Sequence, residues 1–149
     1  MAVEIVDARE THVGPVANNL SAETLETFRK IGIRPRAGLR RLMDDSAYCR
    51  AALVDGRPIA LWGVMGSDIA SSGEAWFSLT EHGRRQRKAI VRHAREELRA
   101  MLATKSELFS SILCSDARAK RFAEFLGFEC VDQDVTPGGI PFFRGILRR

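Results

Sequence analysis

Apolar residues recur along the chain with two periods, about two and about three and a half, and the switches between them mark the elements. Val3 to Ala8 predicts a first strand, and Glu10 to Asn18 a helix weakened by Pro15. SAETLETFRKIG predicts a second helix: Ser21 can cap it, Glu23 puts a negative charge in its first turn, and Gly32 ends it. Leu25, Phe28 and Ile31 fall roughly on one face. Pro35 to Asp44 predicts a third helix that groups Leu39, Leu42 and Met43. AYCRAALVDGRPIALWGVMG then holds two apolar runs joined at Asp55-Gly56, a strong hairpin signal. Ile59 to Met65 is almost wholly apolar, as in a central strand covered on both faces. GEAWFSLT reads as the next strand. The longest helix runs from about Arg84 to Thr104, with Ile90, Val91, Ala94, Leu98, Met101 and Leu102 as its apolar stripe. Arg92, Arg95, Glu96 and Arg99 take its other side. LFSSILC is a strand, and Ser115 or Asp116 caps a last helix that turns Ala119, Phe122, Ala123 and Leu126 inward and ends at Gly127. FECVDQ and PFFRGIL are two final strands around the turn Pro137-Gly138-Gly139.

This order, an antiparallel meander followed by a βαβ crossover, predicts an α/β (α+β) chain with a mixed sheet and helices on both faces. The 149 residues fit one domain, 1–149, able to bury roughly 68–70% of its unfolded surface without metal or disulfide. No apolar run approaches the roughly 20 residues of a membrane span. MAVEIVDARE has acids where an export signal needs a basic flank, and Cys49, Cys114 and Cys130 are odd in number and scattered. A cytoplasmic protein with reduced thiols and no metal site is expected, and His12, His82 and His93 are too dispersed to hold an ion. Net charge is +4, concentrated in HGRRQRK and in the tail RGILRR. Such runs suit a phosphate-bearing ligand, an acidic partner or a nucleic acid. Nucleic acid is the least expected, because no aromatics are interleaved with the basic run as stacking platforms. Trp62 and Trp76 lie in the predicted strands and are expected in the core.

The stretch RFAEFLGFE is similar to the "fYeklGFe" signature of the GNAT superfamily of acetyl-CoA-dependent N-acyltransferases, and the element order resembles that superfamily over nearly the whole chain. Within it, AALVDGRPIALWGV, the Trp-bearing strand GEAWFSLT, the Arg-rich helix and RFAEFLGF look most like the GNAT-like proteins of short-tailed phages. Those are described as acyltransferase-like, or as internal virion or assembly proteins. The resemblance implies a GNAT-like, mostly antiparallel sheet of six to seven strands. It implies transfer of acetyl from acetyl-CoA to a small-molecule or protein amine. The alternative is a catalytically weak or inactive phage protein with a structural, assembly or host-interaction role, and with a phage or host protein as partner. The final strand PFFRGIL could pair between the subunits of a homodimer.

The resemblance also implies where the chemistry sits. The fourth and fifth strands part, and the pantetheine arm of CoA pairs with the exposed edge of the fourth like an added strand. A loop of the form [QR]xxGx[GA] then opens the long helix and holds the pyrophosphate on backbone N–H groups. The fourth-strand end, with Leu79 and Thr80, would supply the pantetheine contacts. Arg84, Arg85, Gln86, Arg87, Lys88 and Ala89 would form the phosphate loop. With Arg84 leading, Arg87 takes the first glycine position and Ala89 the [GA] position. Taking Gln86 as the lead instead places Ala89 and Val91 there. The family's general-acid tyrosine falls on Ala123, leaving Cys114, Ser115 or water to protonate the leaving thiolate. Glu74, at the start of the fourth strand, is the candidate catalytic base, and Glu81 stands second.

Overall fold

The computed structural model describes residues 2–67 and 69–149, the side chain of Asp132 excepted. Among these the chain forms seven strands and six helices. They run β1 (Glu4–Asp7), α1 (Glu10–Ala17), α2 (Ala22–Ile31), α3 (Pro35–Asp44), β2 (Ser46–Val54), β3 (Arg57–Met65) and β4 (Ser72–Leu79). They continue α4 (Glu81–Arg85), α5 (Arg87–Met101), β5 (Glu107–Leu113), α6 (Ala117–Leu126), β6 (Glu129–Val135) and β7 (Pro141–Arg148). The strands make one sheet in the order β1-β2-β3-β4-β5-β7-β6. Every neighbouring pair is antiparallel except β4 and β5, which run parallel because α4 and α5 carry the chain back between them.

Local chemistry sets most boundaries. Asp55 and Gly56 both take positive φ, 51° and 76°, as the two-residue turn between β2 and β3 requires. Gly127 ends α6 in the left-handed region at φ 103°, which lets the chain reverse directly into β6. Ser21 caps α2 by accepting from the Thr24 N–H, and Asp116, not Ser115, caps α6 by accepting from the Ala119 N–H at 3.0 Å.

Two apolar layers flank the sheet. On one face α1, α2 and α3 bring Val13, Val16, Phe28 and Leu39 against Leu61 and Trp76. On the other, α5 and α6 bring Ile90, Ala94, Leu98 and Leu126 against Trp62 and Leu108. Burying each such side chain contributes about 1.5–3 kcal/mol, so β3, buried from Ile59 to Val64, anchors both layers. Of the face that Leu25, Phe28 and Ile31 share on α2, only Phe28 is buried; Leu25 and Ile31 are 48% and 39% exposed. The helix lies at the rim of its layer, too far out for a second apolar turn to reach the sheet.

No helix among the described residues is long and apolar enough to cross a membrane. The cysteines are free thiols, and burial pushes the Cys49 thiol up to about 12. Burial also raises Cys130. The thiolate is the reactive form, so at pH 8 Cys49 is expected to alkylate last of the three with iodoacetamide, followed by peptide mass spectrometry. Labelling of Cys49 ahead of both others would contradict this packing.

Candidate active site at the parting of β4 and β5

The parallel register between β4 and β5 runs Ser72 to Glu107, Gly73 to Leu108 and Glu74 to Phe109, and stops there. β4 continues to Leu79 and β5 to Leu113, so the two strands diverge toward their C-terminal ends. β5 is meanwhile held by β7 over its whole length, and β4 by β3 from Glu74 to Leu79. The gap is therefore a rigid wedge with a fixed vertex at Glu74.

Strand parity shows which groups face the wedge. The Thr80 N–H donates to the Ile59 carbonyl at 3.0 Å, so Thr80 turns its backbone to β3. Phe77 and Leu79 have the opposite parity and turn their backbone groups into the gap. There the Ser21 N–H donates to the Leu79 carbonyl at 3.0 Å, clipping the start of α2 to the end of β4. Among the described residues no strand pairs with Phe77 on that side, so its N–H and C=O and the Leu79 N–H form an open edge. The Phe77 ring packs against Trp62 at 6.1 Å and edge-on against Phe122 of α6 at 5.2 Å, which lines the α5–α6 side of the wedge with aromatics.

Past the end of β4 the structure departs from the expected loop. The chain forms the short helix α4, breaks for the single residue Gln86 (φ −99°, ψ 17°), and restarts as α5 at Arg87. The long helix thus begins three residues later than expected and ends at Met101. Thr80 Oγ1 accepts from the Gly83 N–H at 2.9 Å and donates to the Ile59 carbonyl at 2.8 Å, which winds the first turn down onto β3. Gly83 is the glycine of the basic run, and it serves this packing, not a phosphate cradle: a Cβ there would overlap the Ile59 carbonyl oxygen. The first N–H groups of α5, on Arg87, Lys88 and Ala89, have no partner a turn back within their own helix. A shallow recess of about 430 Å³ lies over them, lined by Arg85, Gln86, Arg87, Lys88, Ala89 and Arg92. Arg84 is turned aside to Glu81 at 2.7 Å, and that hydrogen bond, with Arg85 and Arg118 nearby, holds the Glu81 carboxyl below the usual carboxylate range. Glu81 is thereby a poor proton acceptor.

Glu74 sits at the vertex and shares the sheet face of Trp76 and Ser78, the side covered by α1 to α3. It is separated from Leu79 by five residues, roughly 17 Å of strand. Ala123 is buried among the α6 core residues. Tyr48, the chain's sole tyrosine, is committed elsewhere: its hydroxyl donates to Glu97 and its ring lies under the Arg50 guanidinium. Burial, first, and then Glu97 raise its hydroxyl well above the ordinary range. Because the Ala123 site is packed, Ala123→Tyr is expected to cost about 2 kcal/mol and not to install a working acid. Chemical denaturation would show this, and a more stable variant would mean that the position opens onto the wedge.

Sequence reasoning missed one set of contacts. α2 spans the mouth of the wedge to the start of α6: Arg118 pairs with Glu23 at 2.8 Å, Lys30 donates to Ser115 at 2.7 Å, and Thr27 donates to Asp116 at 3.5 Å. These partners are more than 80 residues apart, and nothing local announces them.

This architecture matches the GNAT fold, as seen in solved acetyltransferases. The aminoglycoside acetyltransferase AAC(6')-Ib, solved in complex with coenzyme A, superposes with a TM-score of 0.72 at 18% identity, over 99% of this chain and 95% of that one. The aminoglycoside 6'-acetyltransferase type Ii gives 0.73 at 14% identity, over 97% and 96%. The ribosomal-protein-S18-alanine N-acetyltransferase of Escherichia coli gives 0.70 at 14%, over 99% and 94%. No family model matches the sequence, and no curated protein matches it in sequence. At these identities the likeness is one of fold.

Proposed function

We propose that the chain is a GNAT-type N-acetyltransferase that moves acetyl from acetyl-CoA to an amine. The observation that carries this reading is the open edge of β4 beyond Glu74, where the β4–β5 register stops. The residues present suit the donor. The Phe77 backbone and the Leu79 N–H would pair with the amides of the pantetheine arm, as an added strand does. The N–H groups that open α5, with Arg85, Arg87 and Lys88, would hold the diphosphate through charge-assisted hydrogen bonds. The solved relatives bound to coenzyme A, and to aminoglycosides, support a nucleotide thioester as donor and a small amine as acceptor.

In this reading the amine enters from the α1–α3 side, past Glu74, which takes the ammonium proton. The nitrogen lone pair then forms the C–N bond, the C–S bond breaks, and the thiolate leaves. With alanine at position 123, the proton that the attacking nitrogen loses as the amide forms passes through water to the leaving thiolate. Orientation carries most of the rate; holding the reactants in line can contribute roughly 7–11 kcal/mol.

Isothermal calorimetry with acetyl-CoA tests the donor site. Micromolar binding is expected, weakened about tenfold by Arg84→Glu, which frees Glu81 and reverses the charge at the diphosphate end. Absence of binding at millimolar donor would sink the reading. A second reading keeps the fold without turnover, as in a GNAT-like phage protein with a structural, assembly or host-interaction role. Ala123 and the bulky Arg87 at the glycine position favour it. Acetyl-CoA binding without thiol release across a panel of aminoglycosides and amino-terminal peptides would select it.

A further inference from the structure

We propose that the outer face of α5 is a docking surface for the phosphate backbone of a nucleic-acid duplex. Helical geometry turns the scattered basic run into an ordered one. Lys88, Arg92, Arg95 and Arg99 recur at i, i+4, i+7 and i+11, within an arc of about 60° and over about 17 Å of axis. All four are exposed, and none makes an ion pair among the described residues. They line a shallow groove of about 350 Å³ together with Val91 and Glu96. Arg149 Nε donates to the Leu102 carbonyl at 2.6 Å, which fixes another guanidinium at the C-terminal end of α5.

The groove's chemistry selects among anionic partners. A protein interface is centred on apolar or aromatic anchors, and among the described residues the only apolar one lining this groove is Val91. A membrane-surface helix needs a broad apolar face, and the apolar stripe of α5 is already spent on the sheet. Single strands are gripped by stacking on aromatics, and none lines this groove. What remains is a row of guanidinium-rich cations, suited to phosphates in fixed positions and blind to sequence. A duplex carries about ten phosphates over the same 17 Å, so all four side chains can find one. The lack of aromatics beside the basic run disfavours single strands and leaves duplex backbone open. The row shares Lys88 and Arg92 with the recess at the donor end of α5, whereas Arg95 and Arg99 lie two to three turns beyond it, so variants at those two separate duplex docking from acyl transfer.

Fluorescence anisotropy with a labelled mixed-sequence DNA duplex tests this. Four phosphate contacts predict a slope of log affinity against log salt near −3.6. Arg95→Glu with Arg99→Glu is expected to bring the slope to about −1.8 and to weaken binding at least tenfold at fixed salt. Arg95→Gln with Arg99→Gln gives the same change of slope, while Arg41→Glu on α3 leaves binding as it was. Acetyl-CoA titrations and thermal melts of these variants stay at the wild-type value. The proposal is overturned by no binding at low salt, by equal loss in Arg41→Glu, or by tighter binding of poly-glutamate or single-stranded DNA than of duplex.

Discussion

Gly83→Ala lowers the stability of the chain by about 3 kcal/mol, and its melting temperature by about 6–12 °C for a chain of this length. The reason lies across the sheet. A Cβ at Gly83 overlaps the Ile59 carbonyl oxygen and stands 3.1 Å from its carbon, and both are backbone atoms of the best-buried strand. No rotamer relieves that overlap, so α4 must lift. Lifting it breaks the Gly83 N–H to Thr80 Oγ1 bond, which holds the first turn after β4. Arg87 to Ala89 move with it, so acetyl-CoA affinity is expected to fall at least tenfold in calorimetry, the equivalent of about 1.4 kcal/mol. Differential scanning calorimetry separates the two effects. A variant that melts at the wild-type temperature yet loses the donor would instead give Gly83 a direct role in binding phosphate.

That substitution also marks the boundary of what the sequence discloses. Where one or two residues decide the geometry, the reading was direct: Asp55-Gly56 makes its turn, Gly127 ends α6, and α3 has the bounds read for it. The division of the basic run into α4 and α5 was not legible, because no glycine or proline stands at the break. Gln86 leaves helical geometry because the turn before it is packed down on Ile59, 24 residues upstream of Gly83. On α2 the period holds, but periodicity gives a face without saying whether anything stands opposite, and only Phe28 of that face is buried. The bridge from α2 to α6 joins residues that are unremarkable in their own surroundings. The parting of β4 and β5 was reached only through resemblance. Nothing in GEAWFSLT or LFSSILC says that pairing stops at Glu74 and Phe109.

Lys105→Met tests why it stops there and not earlier. Lys105 is 3% exposed, just ahead of β5, and its ammonium donates to the carbonyls of Ser67 and Ala70, each at 2.9 Å. Beside it the Ser106 N–H and hydroxyl both donate to the Ser71 carbonyl, at 2.9 and 3.0 Å. The turn between β3 and β4 is thus bolted to the start of β5, at the narrow end of the wedge. Methionine keeps the apolar stem, which passes beside Gly73, and removes the charge and both hydrogen bonds. A hydrogen bond to a charged donor contributes about 1.5–3 kcal/mol, and methionine avoids the cost of burying the ammonium, so a net loss of about 3 kcal/mol is expected. The functional consequence follows from the geometry of a wedge. Freed at its vertex, β5 can slide or close against β4, and the open edge at Phe77 is lost as a fixed template. Acetyl-CoA would then bind more weakly and with a larger unfavourable entropy, because the donor must order the gap that it enters. Amide exchange at Ser72 to Glu74 would quicken in step. If Lys105→Met loses stability while exchange at those amides and donor affinity both hold, the vertex is kept by the β4–β5 register alone.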